Sequence, residues 1–317
     1  MNPRLTIVGS LNMDLVIRSA RIPRPGETII GSDFQMIPGG KGANQAVAAA
    51  RLGAEVSMVG RLGSDTFADV LLKNLNASGV DAAHVHKDKD AATGVALIVV
   101  DDKGENSIVV ASGANMFLTE AEIEAAESVI AASNVLLLQL EVPLAVVIRA
   151  AQIARDHDVP VILNPAPARE LPENLFKLVD VLVPNESETA LLTGLESGNP
   201  AELGPAADIL LDMGVGSVVI TLGKQGAFLR VQDTGSQLFD AFKIKAVDTT
   251  AAGDAFVAGL AVRMGAGYSL AEAIHWGNAA GALSAMRFGA QTSLPNEEEV
   301  NQLISGVNPD IIIGREP

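Results

Sequence analysis

The stretch VDTTAAGDAF at residues 247–256 combines small residues, an acid and the start of a helical pattern. The residues after Asp254 are apolar on nearly every side, which predicts a buried helix that begins within this stretch. A helix N-terminus presents unpaired backbone N–H groups and the positive end of the helix dipole, so it can bind an anion. Ala251, Ala252 and Gly253 are small enough to let a phosphate group approach that backbone.

Asp254 places a carboxylate beside this predicted anion site. A carboxylate repels a resting anion, but it suits a reaction in which a hydroxyl loses its proton while phosphoryl charge is stabilised. Aspartate also caps helix N-termini frequently, so a purely structural role explains the residue equally well at this stage. The stretch alone leaves two hypotheses open, a general base and a helix cap.

The composition limits the class of protein. The chain has 317 residues, 48% of them hydrophobic, a net charge of −16 and no cysteine. This length is typical of one or two domains, and the negative charge without a basic cluster argues against nucleic acid or an anionic membrane as partner. No disulfide is possible. No signal-peptide segment and no apolar run of membrane-spanning length occur, so we expect a cytoplasmic protein.

Apolar strands alternate with helices along most of the chain. This alternation predicts a mostly parallel sheet covered by helices on both faces, a three-layer αβα arrangement in a single domain that spans 1–317. Two early extended segments, about 14–37 and 93–111, interrupt the alternation, and the second contains a hairpin turn at 101–105. We expect these two segments to form a small β-sheet lid.

Three local patterns give further expectations. Residues 27–37 are strand-like, and residues 237–246 are typical of an edge strand. Thr119 and Glu122 form a predicted capping box for a helix that extends to about residue 132.

Polar residues and glycines follow the predicted strands. Ligands of open parallel sheets bind beyond the carboxyl ends of the strands. The residues at these positions are Asn12, Asp14, Glu141, Asn164, Asn185, Glu188, Thr221, Gly223, Lys224 and Gly226. Each one alone fits a turn or a cap, but their shared position predicts one polar site along one edge of the sheet.

The sequence GGKGAN at residues 39–44 opens another predicted helix. Its glycines permit positive φ and close approach, so the loop could cradle a polar ligand, although a tight turn explains it as well. It is not a Walker loop, because Gly42 stands where Ser or Thr should follow the lysine, and it is not a dinucleotide fingerprint. The four histidines lack metal-ligand spacing, and Ser10 and Ser112 lack the context of an acyl-transfer nucleophile.

Together the motifs resemble the PfkB carbohydrate kinase family from about Leu5 to Leu303. The matching stretches are GSLNMD at 9–14, GGKGANQA at 39–46, TGVALI at 93–98, LQLE at 138–141, NPAPA at 164–168, PNESE at 184–188, TLG at 221–223, DTTAAGD at 248–254 and GAQTS at 289–293. The 248–254 motif marks the family, and the 39–46 motif is characteristic of a narrower group within it.

This resemblance implies ATP-dependent phosphorylation of the ribose 5-hydroxyl, with Asp254 as general base. The backbone of Ala251, Ala252 and Gly253 would then be the anion hole for the γ-phosphate. The implied sugar ligands are Asn12, Asp14, Gly40, Lys41, Gly42, Asn44, Glu141 and Asp254. The implied ATP site comprises Asn185, Thr221, Leu222, Gly223, Lys224, Gln225, Gly226, Gly253 and Asn278. Asn185 and Glu188 would order Mg²⁺ and its waters.

The resemblance also implies a monovalent cation, K⁺, near the anion hole. Its ligands would come from Asp248, Thr250, Ser284, Arg287, Gly289 and Ser293, partly through backbone carbonyls. Members of the family dimerise through the lid, so we expect a homodimer.

The identity of the substrate depends on Asn12 and Asp14. Their side chains share one face of an extended segment and suit a vicinal diol, while relatives that favour 2-deoxyribose carry an apolar residue in place of this Asn. Met13 is expected to point to the opposite face, into the lid base; the alternative is that it crowds the sugar.

Three alternatives to a ribose kinase remain. A kinase of 2-deoxyribose or another small sugar or nucleoside is the first, and a non-catalytic sugar sensor, which would not need Asp254 as a base, is the second. An NAD-dependent oxidoreductase is disfavoured because the sequence lacks Gly-x-Gly-x-x-Gly.

Overall fold

Thirteen strands and twelve α-helices occur in the part of the chain that the structure, a computed structural model, describes: residues 2–195, 200–232 and 234–313. The strands are β1 (Arg4–Val8), β2 (Asn12–Arg18), β3 (Phe34–Gly39), β4 (Glu55–Leu62), β5 (Val80–Lys87), β6 (Gly94–Val100), β7 (Asn106–Ala111), β8 (Val135–Leu138), β9 (Val161–Leu163), β10 (Val181–Leu182), β11 (Ser217–Thr221), β12 (Ala227–Val231) and β13 (Gly235–Phe239). The helices are α1 (Lys41–Arg51), α2 (Thr66–Ala77), α3 (Glu120–Ala125), α4 (Glu127–Ala131), α5 (Leu144–Asp156), α6 (Glu173–Phe176), α7 (Glu186–Thr193), α8 (Pro200–Asp212), α9 (Ala252–Gly265), α10 (Leu270–Ala285), α11 (Glu297–Ile304) and α12 (Pro309–Ile312).

The large sheet has nine strands in the order β13-β12-β11-β10-β9-β8-β1-β4-β5. All neighbours from β11 to β5 pair in parallel, and β12 and β13 add an antiparallel hairpin at one edge. One apolar core contains residues of α1, α2, α9, α10 and α11, and the other contains residues of α3, α4, α5 and α8. This confirms the three-layer αβα arrangement, since a parallel sheet needs cover on both faces.

The small sheet has four strands in the order β3-β2-β6-β7. It comes from the two early segments, as expected, and we call it the lid sheet. The strand expected over 27–37 begins only at Phe34. Strand β2 ends at Arg18, whose backbone already bonds Ser32 and Asp33, so residues 27–31 have no strand edge to pair with.

Three further elements differ from expectation. The capping box of Thr119 and Glu122 is present, but Ala126 (φ −94°, ψ 4°) divides the expected helix into α3 and α4. The edge strand expected over 237–246 ends at Phe239. Strand β5 was not predicted from its sequence, VDAAHVHK, because it is a partly exposed edge strand with few apolar residues.

Helix α9, predicted from the sequence, has the expected buried position. It packs against α10 and α1, and its residues 254–262 are all buried. No helix in the described ranges is long and apolar enough to span a lipid bilayer. The tail after Gly306 forms the short helix α12, and residues 314–317 lie outside the described part of the chain.

Candidate active site

At the N-terminus of α9, two backbone N–H groups have no acceptor among the described residues. Ala251 has a left-handed conformation (φ 60°), and the N–H of Ala252 donates to the carbonyl of Thr249 at 3.2 Å. In the described part of the chain, the N–H groups of Gly253 and Asp254 donate to no protein group. Two unpaired donors at the positive end of a buried helix form an anion hole.

Asp254 does not cap α9, whose N-cap is Ala251, so the helix-cap hypothesis is wrong. The residue is 7% exposed, and its carboxylate accepts hydrogen bonds from Asn44 Nδ2 (2.9 Å, to Oδ2) and Gln45 Nε2 (3.0 Å, to Oδ1). Burial raises the pKa of Asp254, although Lys41 and the two amide donors oppose the rise. The carboxylate therefore has a higher proton affinity than an ordinary aspartate.

A chain of neutral amides supports Asp254 from behind. Gln45 accepts a hydrogen bond from Gln139 Nε2 at 2.5 Å, and its own Nε2 is 3.2 Å from Asn164 Oδ1. Asn164 in turn donates to the carbonyl of Val183 at 3.0 Å. The sequence pointed to Asn164 as a strand-end residue but missed the two glutamines. The only local signal was Gln139, a polar residue directly after the apolar strand β8.

Glu141 lies where the loop after β1 meets the start of α1. Its Oε2 accepts hydrogen bonds from Ser10 Oγ (2.5 Å) and from the backbone N–H of Lys41 (3.2 Å). The two loops approach closely because of glycine, since a Cβ at Gly42 would lie 2.6 Å from the backbone of residues 9 and 10. Gly40 has a φ of 88°, which also favours glycine.

Asp14 is buried on β2, two residues after Asn12. Burial, assisted by the charges of Glu141 and Asp254, raises the pKa of Asp14 to about 7, although Lys41 opposes this. The intervening Met13 points to the opposite face from the two polar residues, as strand alternation predicts. It is 1% exposed and packs into the main core, not into the small apolar cluster of the lid sheet, so its expected position in the lid base is wrong.

Lys41 is a cation close to several acidic side chains. Burial lowers the pKa of its ammonium, but the carboxylates of Asp254, Glu141, Glu188 and Asp14 raise it further, so the net shift is upward. Lys41 therefore stays charged among four acids.

A cavity of about 200 Å³ lies between Lys41, Asp254 and the anion hole. Its lining includes Lys41, Asn164, Asn185, Glu188, Thr221, Ala251, Gly253 and Asp254. The cavity thus brings two of the predicted sugar ligands, Lys41 and Asp254, together with the anion hole and part of the predicted ATP site. Asn44 and Glu141 adjoin it through their hydrogen bonds to Asp254 and to the backbone of Lys41, whereas Asn12 and Asp14 do not line it.

Asn185 and Glu188 form the capping box of α7 as well as lining the cavity. Glu188 accepts hydrogen bonds from the backbone N–H (2.9 Å) and Nδ2 (3.0 Å) of Asn185. Burial raises the pKa of Glu188, whereas Asn185 and Lys41 lower it. Asn185 and Glu188 thus bond each other, and the Glu188 side chain also lines the cavity.

The rest of the predicted ATP site lies outside this cavity. Residues 223–225 form an exposed 3₁₀ turn, and the side chain of Leu222 is buried in the core, so only its backbone could contact a nucleotide. Gly226 (φ 100°) has no space for a Cβ, which would lie 1.9 Å from the carbonyl of Phe239. Asn278 Nδ2 is 3.4 Å from the carbonyls of Phe239 and Asp240, so it borders the irregular segment after β13.

The six predicted cation ligands lie around the two loops at 247–250 and 286–293. Asp248 Oδ1 accepts from the N–H (2.9 Å) and hydroxyl (2.7 Å) of Thr250, and its Oδ2 accepts from the N–H of Gly289 (3.0 Å). Ser284 and Ser293 join their hydroxyls at 2.8 Å. Arg287 pairs with Glu299, so only its backbone could face a cation. Within the described ranges no group of three acidic or histidine side chains could hold a metal.

The chain is similar to known carbohydrate kinases along nearly its whole length. The model of the pfkB family of carbohydrate kinases matches residues 2–297. The chain is 43% identical over 304 residues to a ribokinase of Haemophilus influenzae, an alignment that covers 96% of this chain and 99% of the relative. It is 36% identical over 302 residues to a deoxyribokinase of Salmonella typhi, covering 95% and 98% of the two chains. The structure of Arabidopsis thaliana ribokinase complexed with ribose and ATP superposes with a TM-score of 0.89 at 33% identity, covering 96% and 99%.

Proposed function

This chain belongs to the pfkB family of carbohydrate kinases, and we propose that it acts as a ribokinase, which converts D-ribose and ATP to ribose 5-phosphate and ADP. The observation that carries this proposal is the buried carboxylate of Asp254 beside two N–H groups that have no acceptor in the described part of the chain. The chain also has higher identity to the ribokinase of Haemophilus influenzae (43%) than to the deoxyribokinase of Salmonella typhi (36%), which favours ribose.

In the proposed reaction, Asp254 accepts the proton of the ribose 5-hydroxyl. The hydroxyl oxygen forms a bond to the γ-phosphorus, and the bond from that phosphorus to the bridging oxygen of ADP breaks. The N–H groups of Gly253 and Asp254 stabilise the charge on the transferred phosphoryl group. Lys41, which stays charged, adds a positive charge on the same cavity wall.

The proposed sugar site comprises Asn12, Asp14, Glu141, Lys41, Asn44 and the glycine backbone at 40 and 42. Asn44 has an oxygen, Oδ1, that is buried without a hydrogen-bond partner in the described chain, so a sugar hydroxyl could donate to it. Asp14 and Glu141 supply acceptors for further hydroxyls, which suits a polyol.

One assay tests the function directly. The release of ADP from Mg-ATP should be measured with a panel of pentoses, hexoses and nucleosides, and ribose should give the highest kcat/KM. A higher value for 2-deoxyribose would favour the first alternative. Binding of ribose without any turnover would favour the sugar sensor.

We predict that ribose binding weakens as pH falls through about 7. An aspartate with a raised pKa is ionised in the folded protein only above that pKa, and Asp14 must be ionised to act as the acceptor proposed here. One pH unit below the pKa only about one carboxylate in ten is ionised, so the Kd for ribose should be roughly tenfold higher at pH 6 than at pH 8. Calorimetric titration across this range measures the shift. Asp14→Asn should remove it, and a Kd independent of pH would contradict the assignment.

The ATP and magnesium sites are proposed from the same group of residues. We infer that ATP lies along Thr221–Gly226 and Asn278, with Asn185 and Glu188 next to its phosphates. Mg²⁺ commonly retains several waters and binds through one or two carboxylates, so Glu188 in the cavity wall suits a water-mediated role. Bound Mg²⁺ would neutralise phosphate charge.

We also predict activation by potassium. The loops at 247–250 and 286–293 offer carbonyl and hydroxyl oxygens with one carboxylate, a donor set that suits a weakly held monovalent cation. Such a cation would stabilise the loop that leads into the anion hole and offset nearby negative charge. After dialysis, K⁺ should raise kcat more than Na⁺ or Li⁺ does. Equal rates in the three salts would rule this role out.

The lid sheet supports two further proposals, closure over the sugar and a homodimer. Met36, Leu15, Leu97 and Val109 are aligned across its four strands, and three of them are about half exposed or more: Met36 57%, Leu97 55% and Val109 66%. An apolar face of this kind is typical of a protein interface. Light scattering should therefore give twice the mass of the chain.

A single folding domain and a cytoplasmic location stay predictions.

A further inference from the structure

A second asparagine, Asn115, contacts Asn12 at the start of β2. It is 1% exposed and lies in the 3₁₀ turn Gly113–Phe117, which follows the last strand of the lid sheet. Its Nδ2 lies 2.7 Å from Oδ1 of Asn12, 103 positions earlier in the chain. Asn115 was not among the site residues that the sequence predicted.

The backbone of Leu11 determines the orientation of the Asn115 amide. The N–H of Leu11 donates to Asn115 Oδ1 at 2.9 Å, and the carbonyl of Leu11 accepts from Asn115 Nδ2 at 3.1 Å. An N–H can only donate and a carbonyl can only accept, so the amide fits in one orientation. The carbonyl of Ser112, 2.9 Å from Nδ2, requires the same orientation.

The orientation of Asn12 follows from that of Asn115. The contact to Asn12, at 2.7 Å, is the shortest of the three that Asn115 Nδ2 makes, and a second nitrogen at that distance would be repelled, so the atom of Asn12 that faces it is the oxygen. A glycine at position 94 makes this contact possible, since a Cβ there would lie 2.1 Å from Asn12 Oδ1 and 2.4 Å from Asn115 Nδ2.

The remaining polar atom of Asn12 is therefore a donor. Its Nδ2 bonds no group in the described ranges, and this atom is not fully buried. Asn12 shares a face of β2 with Asp14, and a Cβ on Gly40 would lie 2.7 Å from the Asn12 backbone nitrogen, so the glycine loop is adjacent. Asn12 thus offers N–H, but no free oxygen, beside the carboxylate of Asp14.

We propose that Asn115 is a positioning residue for sugar specificity, because it holds the Asn12 amide so that only N–H faces the sugar. Asn12 then donates to the oxygen of the 2-hydroxyl, and that hydroxyl donates its proton to Asp14. A 2-deoxy sugar leaves both protein groups without a partner, which disfavours it. This inference rests on the proposed function as a ribose kinase.

A double-mutant cycle tests it. Asn115→Ala, Asn12→Ala and the double variant should be compared with the wild type for kcat/KM and for Kd by calorimetry, with ribose and with 2-deoxyribose. Asn115→Ala should lower the preference for ribose by at least about fivefold. In the Asn12→Ala background the same change should alter the preference by less than about twofold, because Asn115 acts through Asn12.

Asp65→Ala is the matched control. Asp65 also anchors the lid sheet, since its Oδ2 accepts from the N–H of Thr93 at 2.8 Å, but it does not touch Asn12. Loss of this hydrogen bond should change kcat/KM and Kd by the same factor for ribose and for 2-deoxyribose. If Asn115→Ala does not fold, Asn115→Asp retains an acceptor for Leu11 but has no N–H for Asn12, so it should lower the preference as well.

An unchanged preference in the folded Asn115 variant, or an equal loss with and without Asn12, would overturn the proposal. Calorimetry separates this result from a failure of the proposed function. A wild type that binds ribose without turnover is not a ribose kinase, yet its ratio of Kd values for ribose and 2-deoxyribose still tests Asn115. A wild type that neither binds nor phosphorylates ribose rejects both.

Discussion

Asp254→Asn is expected to bind ribose and ATP but to lose about 10²- to 10⁴-fold in kcat, because an amide cannot take the hydroxyl proton. The substitution should preserve the fold. Asparagine has nearly the same shape as aspartate, and its oxygen can still accept the hydrogen bond from Asn44 Nδ2, which leaves Asn44 Oδ1, unpaired in the described chain, available to the sugar. The loss should therefore appear in kcat rather than in the melting temperature.

Single-turnover kinetics and sugar binding by calorimetry check this result. Asp69→Asn serves as the control, because Asp69 is an exposed aspartate that pairs with Lys87 on the surface. It should leave kcat within about twofold of wild type. Near-normal turnover of the Asp254 variant would remove this residue from the proposed mechanism.

Gly253→Pro is expected to lower kcat by about 10²- to 10³-fold, the usual effect of deleting one donor from an anion hole. The N–H of Gly253 has no acceptor in the described chain, so no protein hydrogen bond is lost. Proline is tolerated in the first turn of a helix for the same reason. The loss should therefore come from the phosphoryl site.

Gly253→Ala is the matched variant, because it keeps the N–H, and a Cβ there meets no protein atom within 4 Å. The difference in kcat between the proline and alanine variants measures the contribution of the N–H group. Thermal unfolding of both variants shows whether the helix start is intact. Equal kcat values in two folded variants would argue against the anion hole.

Local periodicity predicted most of the main sheet and its helices. Helix α5, Leu144–Asp156, is one of the helices that alternate with the apolar strands, and its apolar face packs on the core. The edge strand β5 was missed because a partly exposed edge strand needs no regular pattern of apolar residues. The strand predicted over 27–37 is too long by residues 27–33, because the sequence does not reveal that its partner strand β2 ends at Arg18.

The sequence by itself determined the family, the layered architecture and the small residues that precede Asp254, because these depend on short motifs and local periodicity. Only the tertiary structure decided that Asp254 is not a cap. Its hydrogen-bond partner Asn44 is 210 positions away, and Gln45 and Gln139 behind it are 94 positions apart. Asn12 is a donor for the same kind of reason, since Asn115 lies 103 positions away. The orientation of an amide depends on the groups packed around it, and contacts over such separations leave no periodic signal in the chain.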